Sequence, residues 1–135
     1  TDIDDTRARV ARKMRLRPEV VTASALSGRN AAGLLSRAVV LADRAARKVP
    51  TPALNRFIAD VVTRNPPPSK RGRRLKLLYA AQIQVRPPRF SIQVNDKRLI
   101  AREWAYYVEN QLRETYGFDG VPLIIDYMPR KRDRD

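Results

Sequence analysis

Apolar residues recur along this chain in two rhythms, one every three to four residues and one every second residue. From Asn30 to Lys48, Leu34, Leu35, Ala38, Leu41, Ala42 and Ala45 keep the helical spacing, and Arg47 and Lys48 bring positive charge to the end where the helix dipole favours it. A second helix is predicted to about Arg64, with Thr51 as its N-cap, Pro52 at its first position and Leu54, Phe57, Ile58, Val61 and Val62 on one face. A third, over 99–116, buries Ile100, Trp104, Tyr107, Val108 and Leu112 and is stopped by Gly117. Residues 5–16 also read as helix. Their apolar stripe (Val10, Ala11, Met14) is thin among Arg7, Arg9, Arg12, Lys13 and Arg15, so this helix must dock on something else.

The two-residue rhythm begins at Leu75. Leu75, Leu77, Tyr79, Ala81, Ile83 and Val85 fall on one face and Lys76, Gln82, Gln84 and Arg86 on the other, interrupted by Leu78 and Ala80. That is the pattern of a half-buried antiparallel strand, with Tyr79 in the core. Arg86-Pro87-Pro88-Arg89 turns the chain, Phe90, Ile92 and Val94 repeat the alternation, and Asn95-Asp96-Lys97 turns it again. Val121 to Tyr127 is a further strand, and the charged tail after it is expected to be loose. Near the start, Glu19 to Ala25 reads as a short buried strand ended by Ser27-Gly28. Helix, strand, helix over the first 49 residues is half of an α/β unit. Val49-Pro50-Thr51-Pro52 marks the boundary to an α-β-β-α-β unit of the α+β class, two helices on one face of a three-stranded sheet.

Charge changes the picture. The 135 residues carry 28 Lys and Arg against 14 Asp and Glu, a net charge of +14. This speaks of partners, with nucleic acid ahead of an anionic membrane surface or an acidic protein. No apolar run is long enough to span a bilayer. The chain has no Cys and no His, which excludes disulfides and the nucleophilic and acid–base chemistry of those side chains, and leaves a compact zinc site without its usual ligands. The absence of Cys suits a cytoplasmic location, and a monomer is expected. The carboxylates show no hydrolase-like pairing. Glu109 and Arg113, four apart, read as a helix surface pair. No catalytic residue and no metal site is therefore expected. The first residue is not Met and falls within a helical pattern, so the chain is expected to be a piece of something longer.

The positive charge is concentrated after Pro66-Pro67-Pro68. Lys70, Arg71, Arg73, Arg74 and Lys76 put five cations in seven residues, with Arg86 and Arg89 at the far end of the following strand. Such a block grips a phosphate backbone, or else is a solvated or interdomain segment. Gln82 and Gln84 on the polar face suit base or 2′-hydroxyl contacts as well as ordinary sheet polarity. Tyr106, off the apolar face of its helix, is the aromatic best placed for surface contact. Gly117-Phe118-Asp119-Gly120 spells the G-x-x-G of a nucleotide-backbone clamp. That clamp joins two helices, whereas a strand follows here, and Asp119 would meet phosphate with negative charge. A helix stop followed by a turn is the better account.

The order NPPP, KRGRRLKLLYAAQ, RPPRFSIQVN, a helix, then YGFDGVPLIIDY resembles the C-terminal KH-like domain of the bacterial ribosome-assembly GTPases of the EngA, or Der, family. The likeness covers about residues 50–130. It implies a KH-like domain over 50–135 preceded, over 1–49, by the C-terminal part of a second, Ras-like GTPase domain. Thr22-Ala23-Ser24-Ala25-Leu26-Ser27-Gly28 resembles the fifth guanine-nucleotide motif, so by resemblance Ser24 and Ala25 lie beside the guanine. The phosphate-cradling G-x-x-x-x-G-K-[ST] and the Asn-Lys-x-Asp motif do not occur in this sequence. The resemblance thus implies GTP or GDP with Mg²⁺ for an intact parent and none for this chain alone. It implies ribosomal RNA of the large subunit and the parent's GTPase domains as partners, with RNA contacts from Lys70, Arg71, Arg73, Arg74, Lys76, Arg86 and Arg89. The alternative is an interdomain scaffold that regulates a GTPase domain and has little RNA affinity of its own.

Overall fold

The computed structural model describes residues 2–20 and 28–130. Its helices are α1 (Asp2–Lys13), α2 (Ala31–Ala45), α3 (Thr51–Arg64) and α4 (Arg102–Tyr116). Its strands are β1 (Ser69–Lys70), β2 (Arg73–Arg74), β3 (Leu77–Gln84), β4 (Arg89–Val94) and β5 (Ile124–Pro129). The main sheet has the order β3-β4-β5, and β1 with β2 forms a separate ribbon. β3 and β4 are antiparallel and joined by a tight connection, whereas β4 and β5 are parallel. A parallel pair needs a crossover, and α4 supplies it. The expected α-β-β-α-β order is the observed one, with the small ribbon inserted before β3.

One core joins both helices to one face of the sheet. Leu54, Phe57, Ile58 and Val61 of α3 and Trp104, Val108 and Leu112 of α4 are buried with Phe90, Ile92 and Val94 of β4. Each such large apolar side chain contributes about 1.5–3 kcal/mol on burial. α3 begins one residue earlier than its sequence suggests. Pro50 is the N-cap, and Thr51 makes no capping hydrogen bond. Gly117 ends α4 in the left-handed region (φ 70°), as expected.

Strand β3 does not present the face its alternation predicts. Leu77 pairs with Val94 but Tyr79 pairs with Gln93, so Leu78 is an extra residue in a β-bulge. A one-residue insertion sends every later side chain to the other face. Ala80 is therefore fully buried and Gln82 faces the helices, while Tyr79 is 49% and Ile83 58% exposed. The placement of Tyr79 in the core is overturned. Gln82 is consumed structurally: its Oε1 accepts from the Val49 N–H at 2.7 Å, and its Nε2 donates to the Arg47 carbonyl at 3.0 Å. The outer edge of β3 is closed by Asn55 of α3. Its Nδ2 donates to the Ala80 carbonyl at 2.8 Å and its Oδ1 accepts the Ala80 N–H at 2.9 Å, a side-chain amide standing where another strand would pair.

Leu16, Arg17 and Arg47 lie against the far end of α4. The Leu16 carbonyl accepts the Gly120 N–H at 2.6 Å, Arg17 pairs with Glu114 at 2.9 Å, and Arg47 donates to the Tyr116 carbonyl at 2.9 Å. None of the residues of α2 is buried, and Leu35 and Val39 stand 69% and 61% exposed. Glu19 and Val20 are not in a strand, and the rest of the strand predicted there lies outside the described residues, as does the charged tail from 131.

Arg113 corrects another expectation. It is 1% exposed rather than a surface residue. It donates to the carbonyls of Phe118 (2.9 Å) and Val121 (2.6 Å) and pairs with Glu109 at 3.4 Å. Its burial pulls its pKa below the ordinary arginine value, with Glu109 opposing. The G-x-x-G stretch is the turn so held. Phe118 is buried against Phe90, ring centroids 6.1 Å apart, and Gly120 is occupied by Leu16.

Candidate nucleic-acid interface

The basic block folds into a two-residue β-hairpin. Ser69 pairs with Arg74 and Lys70 with Arg73, leaving Arg71 and Gly72 at the tip with φ of 51° and 73°. Positive φ at both central residues is the signature of a type I′ turn, whose twist matches the strands it joins. Glycine supplies one of these positions without strain. Pro66 to Pro68 leads into the hairpin, with Pro67 buried. At its other end Asn95 ties it to the sheet: Oδ1 accepts the Lys76 N–H at 2.8 Å and Nδ2 donates to the Arg74 carbonyl at 3.2 Å. The block is thus a short rigid ribbon anchored at the end of β4. All five of its cations are exposed. Arg71, Arg74 and Lys76 make no ion pair with a described carboxylate.

The hairpin lies beside the 3-10 turn Lys97–Leu99. A cavity of about 430 Å³ opens between them, lined by Lys70, Arg71, Arg73, Asp96, Arg98 and Leu99. Asp96 is the one carboxylate in its lining. Its Oδ2 accepts from Arg98 Nη2 at 3.0 Å and from Arg73 Nη1 at 3.1 Å, and its Oδ1 accepts from Arg98 Nε at 3.1 Å and the Arg98 N–H at 3.0 Å. Hydrogen bonds from the Arg98 side chain and backbone, with the charges of Arg98 and Arg73, hold the Asp96 carboxyl down at about 2. It is ionised throughout the neutral range. Lys70 Nζ donates to the Ile100 carbonyl at 3.0 Å, fixing the rim.

Arg98 was not a candidate from sequence. The Asn95-Asp96-Lys97 turn was readable, but no pattern shows that the hairpin folds onto it. The structure groups Lys70, Arg71, Arg73, Arg74 and Lys76 but does not bring Arg86 and Arg89 to them. Those two flank the β3–β4 turn, the eight-residue length of β3 away, about 26 Å at 3.3 Å per residue. Arg89 is paired with Asp126 at 2.7 Å, which raises the arginine and lowers the carboxylate. Tyr106 is also engaged. Arg15 lies 4.2 Å from its ring centroid, and Arg102 donates to its hydroxyl at 2.6 Å. Ser24 and Ala25 lie outside the described residues.

One further surface bears on function. The sheet face away from the helices is uncovered, and one row across it, Tyr79–Gln93–Met128, is exposed in all three strands. Among the described residues no group of three or more carboxylates converges as a metal site, and no helix is long and apolar enough to cross a membrane.

The family described as KH-domain-like of EngA bacterial GTPase enzymes, C-terminal, matches residues 48–127. The GTPase Der of Chloroflexus aggregans is 39% identical over 117 residues, 86% of this chain and 26% of that protein. GTPase Der of Symbiobacterium thermophilum is 45% identical over 87 residues, 64% of this chain and 18% of that protein. GTPase Der of Staphylococcus carnosus is 44% identical over 87 residues, 64% of this chain and 20% of that protein. The chain thus spans about a fifth to a quarter of the length of the curated relatives it matches.

Proposed function

The chain belongs to the KH-domain-like family found at the C-terminus of EngA bacterial GTPases, and from that premise we propose that it is the RNA-docking region of such a GTPase, acting in the cytoplasm on the large ribosomal subunit. In this reading residues 1–49 are the C-terminal part of the second GTPase domain and residues 50–135 the KH-like domain with its charged tail. GTP and Mg²⁺ serve the whole protein, with Ser24 and Ala25 beside the guanine. The observation that carries the reading is the anchored hairpin, which projects Lys70, Arg71, Arg73 and Arg74 from one short ribbon with the exposed Lys76 just beyond it. A phosphate backbone neutralised by these side chains releases counterions, which gives a strong, salt-dependent attraction. Arg86 and Arg89 form a separate, minor patch, with Arg89 partly neutralised by Asp126.

The uncovered row on the sheet favours a second role beside the first. Tyr79 and Met128, each 49% exposed, suit packing against another domain of the same protein. The test is binding of the 135-residue chain to purified large ribosomal subunits and to an unrelated RNA over a salt series. Arg71→Gln/Arg73→Gln/Arg74→Gln is expected to cut affinity and flatten the salt slope by about three contacts. Unchanged RNA binding in that variant would leave the scaffold role alone.

A further inference from the structure

The pocket under the hairpin is more than a local excess of charge. Four cations, Lys70, Arg71, Arg73 and Arg98, face one carboxylate, Asp96. Side-chain exposure separates their parts: Asp96 is 12% exposed, whereas Arg73 and Arg98 are 59% and 85% exposed. The carboxylate lies at the floor and the guanidiniums reach outward. Both guanidiniums donate to the same oxygen, Oδ2, so their donor nitrogens lie within about 6 Å of each other, two hydrogen-bond lengths. Two cations so close repel, and a shared anion is what holds them together. A guanidinium has five N–H donors, of which Arg73 spends one on Asp96 and Arg98 spends two. The unspent donors suit the planar, bidentate recognition of the non-bridging oxygens of a phosphate.

We infer that the hairpin and the Asp96–Leu99 turn form a preorganised pocket for a single phosphodiester group of RNA, in which Arg73 and Arg98 are the direct ligands and Asp96 is their positioning residue. Lys70, held at the rim by the Ile100 carbonyl, and Arg71, at the hairpin tip, close the pocket over the bound group. The inference rests on the RNA-docking reading and sharpens it. One phosphate of the bound strand sits in a fixed place, so the hairpin sets the register of the RNA rather than sliding along it.

The two accounts of this surface differ in sign for one substitution. Asp96→Asn removes a negative charge from a basic patch. If charge density alone governs binding, the variant binds RNA more tightly. If Asp96 positions the arginines, the freed side chains must be ordered on binding, and affinity falls by about 2- to 10-fold. Asparagine keeps an Oδ1 to accept the Arg98 N–H, so the cap of the 3-10 turn is retained. Arg98→Lys, which preserves charge and loses the fork, is expected to weaken binding to a similar degree.

The measurements use the 135-residue chain with a short single-stranded RNA, alongside a titration with inorganic phosphate followed at the arginine Nε–Hε signals by NMR. The expected result is weaker RNA binding by both variants and saturable movement of the Arg73 and Arg98 signals with one common midpoint. Equal or tighter RNA binding by Asp96→Asn overturns the pocket, as does phosphate titration that leaves both signals unmoved. Should the unsubstituted chain fail to bind RNA or large subunits while the two signals still saturate, the pocket stands and the docking reading falls.

Discussion

Arg113 shows how much a single residue can hold. Its guanidinium joins α4 to the 118–121 turn through the carbonyls of Phe118 and Val121, and to the incoming segment through Leu16. In sequence it looks like half of a surface pair with Glu109, because four-residue spacing on a helix says nothing about which face is covered. Removing it strands the Val121 carbonyl, since Phe118 and Leu16 still accept from the Val121 and Gly120 N–H groups, and leaves Glu109, 15% exposed, with Arg15 at 4.0 Å as its remaining partner. Arg113→Met is therefore expected to destabilise the chain by about 1–3 kcal/mol, read as a fall in the urea midpoint. A loss under about 1 kcal/mol would mean that water replaces these contacts at little cost. Asp96 is the polar counterpart: a residue legible as a turn former whose further role depends on Arg73, 23 positions away.

At the scale of elements, β3 is the instructive case. Its alternation is genuine, yet the bulge at Leu78 reverses which half is buried. Alternation fixes that two faces exist; the pairing register decides which one meets the helices. This has a direct consequence. Were Tyr79 in the core, truncating it would cost about 3–5 kcal/mol, as for other large aromatics. At 49% exposure on the uncovered face, Tyr79→Ser is expected to change stability by less than about 1 kcal/mol, whereas Ile92→Ala, at 2% exposure, should cost about 2–5 kcal/mol. Denaturant melts of the two variants, side by side, check the register. The amide of Asn55 works at the same scale, because it closes the β3 edge that the bulges leave irregular. The hairpin is legible in sequence as a basic segment, and the glycine inside the cationic run is the one local signal of its type I′ tip at Arg71-Gly72.

For the whole molecule, charge and exposed apolar surface divide the work. The net charge of +14 is global, but its usable concentration is local, at the hairpin and the Asp96–Leu99 turn. If all five hairpin cations engage a single strand, the logarithm of affinity should fall with the logarithm of salt with a slope between about −3 and −4. A slope near −1, measured by titration from low to physiological salt, would mean that most of the block stays in solvent. Among the described residues, exposed apolar side chains also stand on α2 (Leu35, Val39) and on the uncovered sheet face (Tyr79, Met128), away from the hairpin. Those surfaces suit protein contacts, so the two roles proposed for this region do not compete for the same residues.

What the sequence determined by itself was periodicity, punctuation and charge. The amphipathic rhythms of α3 and α4, the Phe90-Ile92-Val94 strand, the Gly117 stop and the cationic block all depend on residues close together in the chain, and local physics suffices to read them. Membership of the EngA family was legible for a related reason, since its separated motifs keep their order and spacing. Everything set by pairing across long intervals had to come from the three-dimensional fold. The register that turns Tyr79 outward, the burial of Arg113, the separation of Arg86 and Arg89 from the hairpin and the convergence of Arg73 and Arg98 on Asp96 all belong here. Each depends on which segment packs against which, and that is settled by the summed burial of the core, in which no single residue type carries the answer.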